Sequence, residues 1–301
     1  MRTAVTGGAG FIGSHLVDAL VARGDEVVVV DDLSSGTREY VNPAATFVQR
    51  DVRDGLDLEG CEAIFHLAAQ ADVQTSVALP AFDAAVNVLG AVEAAEAARR
   101  AGAKVVFSST GGAIYGEVET PAAEDAPLRP VAPYGISKLC AEQYFLGWNR
   151  IHGSRHTVLR FGNVYGPRQS PTLEGGVVSI FLDRMARGEQ TTIFGDGLQE
   201  RDFVYVGDVV DALLAAAASE EPGTFNVGTG AATTVLDLHR ACADAAGSTA
   251  EPLFAPARLG DARRSVLDVS RIEQVLGWRP KTPLADGLRT TWDWAKESSP
   301  A

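Results

Sequence analysis

Short apolar runs alternate with longer amphipathic stretches through the first half of the chain. Six runs rich in β-branched residues predict strands at residues 3–6, 26–31, 46–49, 62–68, 104–109 and 156–161. The stretches between them predict helices, including one over 11–23 that ends at Gly24 and one over about 81–101 that ends at Gly102. The strand candidates lack alternation, which is typical of strands buried on both faces. The pattern predicts an α/β fold built on a doubly wound parallel sheet.

The pattern changes after about residue 165. Residues 165–179 are rich in glycine and proline and predict a long loop. Shorter elements follow, among them a strand and helix over residues 203–218. We therefore predict a first domain over residues 1–165 and a smaller C-terminal α/β domain over 166–301. The segment near 202–230 is expected to return to the first domain.

A glycine-rich loop joins the first predicted strand to the first predicted helix. Gly7, Gly10 and Gly13 recur at every third position. In a strand–loop–helix unit these glycines allow a tight turn, close approach of a pyrophosphate, and close packing of helix on strand. Asp31 closes the second strand, where a carboxylate binds the ribose hydroxyls and repels a 2′-phosphate. The unit predicts a dinucleotide site that prefers NAD to NADP.

Two further segments follow predicted strands at the same edge of the sheet. Asp51 and Val52 come after the third strand and are candidates to flank an adenine, although Asp51 is equally an ordinary solvated loop residue. Leu67, Ala68 and Ala69 follow the fourth strand. Small residues there allow a cofactor to approach closely, and they suit core packing equally well.

A tyrosine and a lysine lie four residues apart at the start of a predicted helix. Tyr134 and Lys138 follow Pro133, so they share one helix face. An ammonium group beside a phenol favours the phenolate and lowers its pKa, which makes the tyrosine a usable general base near neutral pH. The alternative is an ordinary surface pair. The preceding dinucleotide motif favours the catalytic interpretation.

Three hydroxyl side chains end the fifth predicted strand. Ser108, Ser109 and Thr110 precede Gly111 and Gly112. Hydroxyl groups at a strand end either cap a turn or hold a substrate. Since side chains alternate along a strand, Ser109 and Thr110 are expected to face opposite sides.

Composition limits the classes of partner. The chain has 301 residues, a formal net charge of −13 and a pI of about 4.8. An acidic field opposes binding to nucleic acid or to anionic membranes, so an anionic ligand would need a local arginine cluster. The three cysteines and five histidines show no metal-ligand spacing, and no metal site is predicted. Neither a signal peptide nor a long apolar run is evident, which favours a cytoplasmic protein.

The glycine loop, the hydroxyl-rich strand end and the Tyr134–Lys138 pair resemble the extended short-chain dehydrogenase/reductase family. The likeness covers almost the whole chain and is closest to its NAD-dependent UDP-glucose 4-epimerases. It implies a Rossmann-type NAD-binding domain followed by a nucleotide-sugar-binding domain. It also implies a catalytic set of Thr110, Tyr134 and Lys138, with Ser109 as second candidate because the double glycine lengthens the loop. The cofactor residues implied are Gly7, Gly10, Phe11, Ile12, Gly13, Asp31, Asp32, Leu33, Ser34, Ser35, Gly36, Asp51, Val52, Leu67, Ala68, Ala69, Gln70, Tyr134 and Lys138.

The same resemblance implies a set of substrate contacts in the second half. Asparagine and arginine side chains would bind the diphosphate, and the remaining residues would enclose or bind the uridine. The contacts implied, beside Thr110, are Asn163, Val177, Val178, Thr192, Phe194, Arg201, Arg258 and Asp261. Arg263 and Arg264 are expected to form surface ion pairs instead, and Arg168 is undecided. Ser265 stands where the family carries either an aromatic or a small residue, and a small one leaves space for a 2-N-acetyl group.

The implied activity is interconversion of UDP-glucose and UDP-galactose through a 4-keto sugar, with some activity on UDP-GlcNAc and UDP-GalNAc. Gly111 and Gly112 stand where related 4,6-dehydratases carry an acid–base pair, which argues against dehydration. A uronate epimerase, a dTDP-sugar epimerase and a non-catalytic dinucleotide sensor are the alternatives. The resemblance also implies a homodimer through helices at about 81–101 and 133–151.

Overall fold

The computed structural model describes residues 1–119, 121–172, 176–257 and 262–298. Its strands are β1 (Arg2–Thr6), β2 (Glu26–Asp31), β3 (Thr46–Gln49), β4 (Ala63–His66), β5 (Lys104–Thr110), β6 (Thr157–Phe161), β7 (Asn163–Tyr165), β8 (Thr192–Phe194), β9 (Glu200–Arg201), β10 (Phe203–Tyr205), β11 (Gly223–Val227), β12 (Thr233–Thr234), β13 (Leu253–Ala255) and β14 (Arg264–Ser265). Its α-helices are α1 (Phe11–Ala22), α2 (Val73–Ala78), α3 (Pro80–Ala84), α4 (Gly90–Ala101), α5 (Gly111–Ile114), α6 (Pro133–His152), α7 (Val177–Ala186), α8 (Val206–Ala218), α9 (Val235–Ala246), α10 (Ser270–Leu276) and α11 (Leu284–Ser298).

Seven strands form a parallel sheet in the order β11, β6, β5, β4, β1, β2, β3. The chain builds outward from β1 to β3 and then crosses back to β4, so the direction of winding reverses between β1 and β4. In open α/β sheets this reversal leaves a crevice at the carboxyl ends of the strands, where ligands bind. The predicted doubly wound parallel sheet is confirmed.

Helices cover both faces of this sheet. On one face α1 packs on β1 and β2 and α8 packs on β5 and β6, and both helices bury leucine and valine side chains such as Leu16 and Leu213. On the other face α4 and α6 pack through small or aromatic residues, including Ala94 and Phe145. Complete burial of one such leucine or phenylalanine contributes about 1.5–3 kcal/mol relative to exposure. These two clusters hold the strand ends that carry the site.

The helix predicted over 81–101 is interrupted. A π-helical turn at Ala85–Leu89 separates α3 from α4. The turn places Asn87 inward, where the side chain is 2% exposed and hydrogen-bonded to the backbone of Gln70. π-Helical turns occur often at functional sites.

The C-terminal half divides its elements between two places. α8 packs against α1, and β11 extends the large sheet beside β6. The remaining elements form small sheets, with β10 on β7, β13 on β8, and β9 between β12 and β14. A separate core that includes Phe181, Leu238 and Leu288 holds α7, α9 and α11 together. The domain boundary near residue 165 stays a prediction. Within the described ranges, no helix combines the length and apolar character needed to cross a membrane.

Candidate active site

A cleft of about 490 Å³ lies at the carboxyl ends of the central strands. Most of the predicted cofactor residues line it: Gly7, Gly10, Phe11, Ile12, Gly13, Asp31, Asp32, Ser34, Ser35, Asp51, Val52, Leu67, Ala68, Ala69, Gln70, Tyr134 and Lys138. Leu33 and Gly36 are not part of this lining. They shape the loop behind Asp31, since Leu33 N–H donates to Asp31 Oδ1 and Gly36 packs against Ala9.

The glycine loop packs closely against the neighbouring backbone at the mouth of the cleft. Gly7 has a φ of +74°, and a Cβ there would lie 2.6 Å from Ala68 N. A Cβ on Gly13 would lie 2.0 Å from Gly7 O, so the loop and α1 are in direct backbone contact. The first turn of α1 carries no acidic side chain, and its free N–H groups favour an anion. This cradle fits the diphosphate of NAD.

Asp31 is a buried carboxylate at the end of β2. Its Oδ2 accepts the Ala9 N–H and its Oδ1 the Leu33 N–H, both at 2.9 Å. Burial raises the pKa of Asp31, and the two backbone N–H groups oppose that rise. Asp32 lies next to it and closes a turn by accepting Ser34 N–H at 2.9 Å. The two adjacent carboxylates disfavour a 2′-phosphate on the ribose.

Asp51 lies in the cleft and is bound to Arg53. It lines the cleft, and its carboxylate accepts the Arg53 backbone N–H and the Arg53 guanidinium, each at 2.9 Å from Oδ1. The Arg53 guanidinium lowers the pKa of Asp51. Arg50 and Arg53 also line the cleft, and sequence reasoning missed both. Their position directly after the β3 strand end was the available signal.

Lys138 is a buried cation beside the strand end of β5. Its Nζ donates to Ser108 O at 3.0 Å and lies 4.9 Å from the centre of the Phe107 ring. Burial lowers the pKa of Lys138 to about 8, whereas Asp83 and Glu142 oppose the shift. Tyr134 lies one helical turn earlier on α6 and lines the same cleft. The two residues predicted to act together therefore share one helix at the cleft.

The three hydroxyl side chains of β5 have different surroundings. Ser108 Oγ donates to His66 O at 3.2 Å, and Ser109 Oγ donates to Glu142 Oε1 at 2.5 Å. Ser108 and Ser109 line the cleft, whereas Thr110, which is 8% exposed, lies outside its lining. A Cβ on Gly112 would lie 3.9 Å from Thr110 Oγ1 and 3.6 Å from Asn163 Oδ1. Thr110 and Asn163 therefore both lie beside Gly112.

Asn163 begins β7, and the other described substrate candidates of the second half lie on three further elements. Val177 and Val178 begin α7, Thr192 and Phe194 lie on β8, and Arg201 lies on β9. Val178 is 2% exposed and packs in the C-terminal core. Its side chain therefore has a structural role there. Arg258 and Asp261 lie outside the described residues.

Ser265 connects this region to the strand end. It lies on β14 in register with Arg201 of β9, and its Oγ is 3.4 Å from Gly112 O. At 5% exposure it packs directly against the double glycine. The side chain at position 265 therefore limits the space beside Gly112.

The three other arginines that the sequence analysis singled out form ion pairs. Arg263 pairs with Asp196 and Arg264 with Glu200, as the sequence predicts for surface residues. Arg168 pairs with Asp18 of α1 at 2.8 Å. Its backbone has a φ of +67°, which is uncommon outside glycine. This contact ties the loop after β7 to the helix of the glycine loop.

A buried polar network that sequence reasoning missed lies behind Gln70. Asn87 accepts the Gln70 N–H at 2.9 Å and donates to Gln70 O at 3.0 Å and to Ser137 Oγ at 3.1 Å. Asp83 Oδ1 accepts both the Gln70 and the Asn87 amide groups. The available signal was an asparagine in an otherwise apolar helix stretch. The network fixes the loop after β4 against α6.

Comparisons with known proteins agree with this geometry. The model of the NAD dependent epimerase/dehydratase family matches residues 3–228. The chain is 48% identical to a UDP-glucose 4-epimerase of Mycolicibacterium smegmatis, over 99% of this chain and 100% of the relative. A solved UDP-glucose 4-epimerase with UDP-glucose from Thermotoga maritima has a TM-score of 0.97 at 46% identity, over 99% of both chains. The enzyme of the same name from Thermus thermophilus, in complex with NAD, has a TM-score of 0.91 at 43% identity, over 99% of this chain and 100% of that one. The resemblance drawn from the sequence motifs is confirmed.

Proposed function

Because this chain belongs to the NAD dependent epimerase/dehydratase family, we propose that it is an NAD-dependent 4-epimerase that interconverts UDP-glucose and UDP-galactose. One observation carries the proposal. Tyr134 and Lys138 line the same cleft as the glycine loop and Asp31, so a general base and a dinucleotide cradle share one site. The backbone of Gly111 and Gly112 follows Thr110 and supplies no acid or base for a dehydration.

The chemistry assigned to the protein is proton transfer and positioning. NAD bound in this cleft would supply the acceptor and then the donor of the hydride at C4 of the sugar. The phenol oxygen of Tyr134 removes the proton of the 4-hydroxyl and later returns it. Lys138 favours the phenolate form through its positive charge. Thr110 Oγ1 holds the sugar oxygen during both proton transfers.

Binding of the nucleotide part of the substrate keeps the reactive 4-keto sugar in the site. The sugar must turn over in the site between the two hydride transfers, and only the nucleotide diphosphate then anchors it. Asn163 and Arg201 are the described groups that we assign to the diphosphate. An acidic chain needs such local donors for an anionic ligand. Ser265 lies against Gly112, and a serine fills less of this region than an aromatic side chain would, which supports activity on the N-acetyl sugars as well.

Product analysis tests the proposal directly. The purified protein is incubated separately with UDP-galactose, UDP-GalNAc, UDP-glucuronate and dTDP-glucose, and the sugars are separated by chromatography. We expect the C4 epimer of UDP-galactose and a smaller amount of that of UDP-GalNAc. If an epimer formed only from UDP-glucuronate or only from dTDP-glucose, that nucleotide sugar would replace UDP-galactose as the assigned substrate. Stoichiometric accumulation of NADH, or no epimer at all, would reject the proposal.

We further propose that two copies pair through an exposed apolar surface, here called the helical face. It is formed by the neighbouring helices α2, α3 and α6 and the π-helical turn. Its members are between 38% and 71% exposed: Val77, Leu79, Phe82, Leu89, Ile136, Tyr144 and Ile151. Contiguous apolar surface of this kind favours a protein partner. Light scattering after gel filtration should give the mass of a dimer, and Ile136→Glu should give a monomer, whereas Val275→Glu on α10 should not.

We propose a cytoplasmic location because of the state of the three cysteine thiols. Cys61, Cys140 and Cys242 are all unpaired, and Cys61 and Cys242 are buried. Unpaired thiols suit a reducing compartment.

A further inference from the structure

Lys138 and Asp83 are a buried cation and a buried anion that have no ion-pair partner within 4 Å among the described residues. Lys138 is 3% exposed and Asp83 is 1% exposed. Lys138 Nζ donates its hydrogen bond to the neutral Ser108 carbonyl. Asp83 Oδ1 accepts from neutral amide groups, those of Gln70 at 2.9 Å and Asn87 at 3.0 Å. Isolated charges are costly to bury, so each of them needs an opposite charge nearby.

The other carboxylate near Lys138 is already neutralised. Glu142 lies one turn after Lys138 on α6, and it pairs with Arg160 at 2.7 Å while also accepting from Ser109. His66 faces Lys138 from β4 and stays neutral, because burial lowers the pKa of His66 to about 3. Among the neighbours described, Asp83 is therefore the remaining source of negative charge.

A hydrogen-bonded chain connects Asp83 on α3 to Ser137 on α6, the residue directly before Lys138. α3 packs against α6. Asn87 donates both to Asp83 Oδ1 at 3.0 Å and to the hydroxyl of Ser137, which precedes Lys138. Asp83 is also the stronger of the two carboxylates that raise the pKa of Lys138 against burial. The π-helical turn that carries Asn87 thus holds the Asp83 carboxylate at a fixed place against the first turn of α6.

We propose that Asp83 is a positioning residue of the active site, which keeps Lys138 charged and so keeps the charge that favours the Tyr134 phenolate. Asp83 does so from outside the cleft, without touching substrate or cofactor. The inference rests on the proposed function for its meaning. Its direct test is a titration that needs no turnover, so this proposal and the proposed function can fail separately.

Lysine titration measures the effect. The chain carries only Lys104, Lys138, Lys281 and Lys296, so ¹³Cε-labelled lysine gives few signals, and Lys138→Met identifies the one of interest. Asp83→Asn keeps an oxygen acceptor for Gln70 and Asn87 but removes the charge. We expect the Lys138 midpoint to fall by about one pH unit, a tenfold change in proton affinity. Lys104 is the internal control, because its pKa is also lowered to about 8 by burial but its partners are Ala216 O and Ser219 O.

The outcomes separate an electrostatic role from a structural one. Asp83→Glu retains the charge, so most of the fall in the Lys138 titration midpoint should be absent from this variant. If Asp83→Asn does not fold, Asp83→Ser takes its place in these measurements. In turnover, the alkaline limb of the kcat profile should move to lower pH by the same amount in Asp83→Asn. An unchanged Lys138 midpoint, or equal loss of kcat at every pH, would overturn the proposal. Asp293→Asn, which removes an exposed carboxylate on α11, should change neither.

Discussion

Ser109 Oγ donates a hydrogen bond to Glu142 Oε1 at 2.5 Å, and this contact occupies the proton of the middle hydroxyl of the β5 strand end, at the edge of the cleft. Glu142 is fully buried and is paired with Arg160. A hydroxyl that donates its proton to Glu142 has no proton left to donate to a sugar oxygen, although its lone pairs can still accept. Thr110, the next residue, lies near Gly112 and Asn163. The contact therefore favours Thr110 as the hydroxyl that serves the proposed reaction.

Substitution of the two hydroxyls separates their roles. Thr110→Val keeps the shape of the side chain and should lower kcat by about 100-fold or more, because the hydrogen bond to the reacting oxygen is lost. Ser109→Ala should leave kcat within about threefold but lower the free energy of unfolding by about 1–3 kcal/mol, since Glu142 loses a buried donor. Steady-state kinetics and urea denaturation measure both. The reverse pattern would make Ser109 the catalytic hydroxyl.

Tyr134→Phe should abolish turnover while the protein still binds NAD. Removal of a general acid–base group costs about 10²–10⁴-fold in rate, whereas the glycine loop and Asp31 that cradle the dinucleotide are untouched. Chromatography of the cofactor released from the variant checks that NAD is still bound, and a kcat measurement checks that turnover is lost. Tyr144→Phe removes a hydroxyl from the exposed side of the same helix and is the matched control. Full activity in Tyr134→Phe would contradict the assigned mechanism.

Much of the fold could be predicted from the sequence because the sequence signals for its elements are local. Each of the first six strands is a β-branched run between turn residues, and the glycine spacing marks the loop after β1. β11 was not predicted, since the short run Gly223–Val227 becomes a strand only by pairing with β6. The π-helical turn depends on the contact between Asn87 and Gln70. Such contacts join residues distant in sequence, and no periodicity encodes them.

The same reasoning applies within the site. Motif spacing singled out Tyr134 and Lys138, but it gave no sign of Asp83 or of the buried pair formed by Glu142 and Arg160. Buried polar side chains on apolar helix faces were the only trace in the sequence. Their partners become evident only when the strands and α6 are packed together.

Ser265→Tyr should remove activity on the N-acetyl sugars selectively. Ser265 is buried, and its Oγ lies 3.4 Å from Gly112 O, so a phenol ring there would fill the space beside the double glycine. We expect kcat/KM for UDP-GalNAc to fall by about 10–200-fold, with UDP-galactose changed much less. Ser265→Ala is the control and should spare both substrates. Equal loss on the two substrates would contradict this account of specificity.

Breaking the buried pair of Arg160 and Glu142 should destabilise the protein strongly. Their side chains are 4% and 0% exposed, and the pair also holds Ser109 and Tyr115. Glu142→Gln leaves the guanidinium uncompensated and should cost about 3–5 kcal/mol of unfolding free energy. Adding Arg160→Met should recover part of that loss. Lys281→Ala, in an exposed pair with Asp211, should cost at most about 1 kcal/mol.

His156 makes stability fall on mild acidification. The side chain is fully buried, its Nδ1 accepts the Val105 N–H at 3.0 Å, and burial lowers its pKa to about 4. An unfolded chain takes up this proton near pH 6.5, so the stability that His156 contributes is complete above about pH 6.5 and is lost as pH falls towards 4.

His156→Gln isolates this contribution, because the amide oxygen can accept the same N–H without titrating. Urea denaturation at about pH 7 and about pH 5 should show a fall in unfolding free energy that is smaller in the variant by about 2 kcal/mol. The carboxylates titrate alike in the two chains, so the difference between the two falls belongs to the histidine. Identical falls in the two proteins would mean that His156 keeps an ordinary pKa in the folded chain.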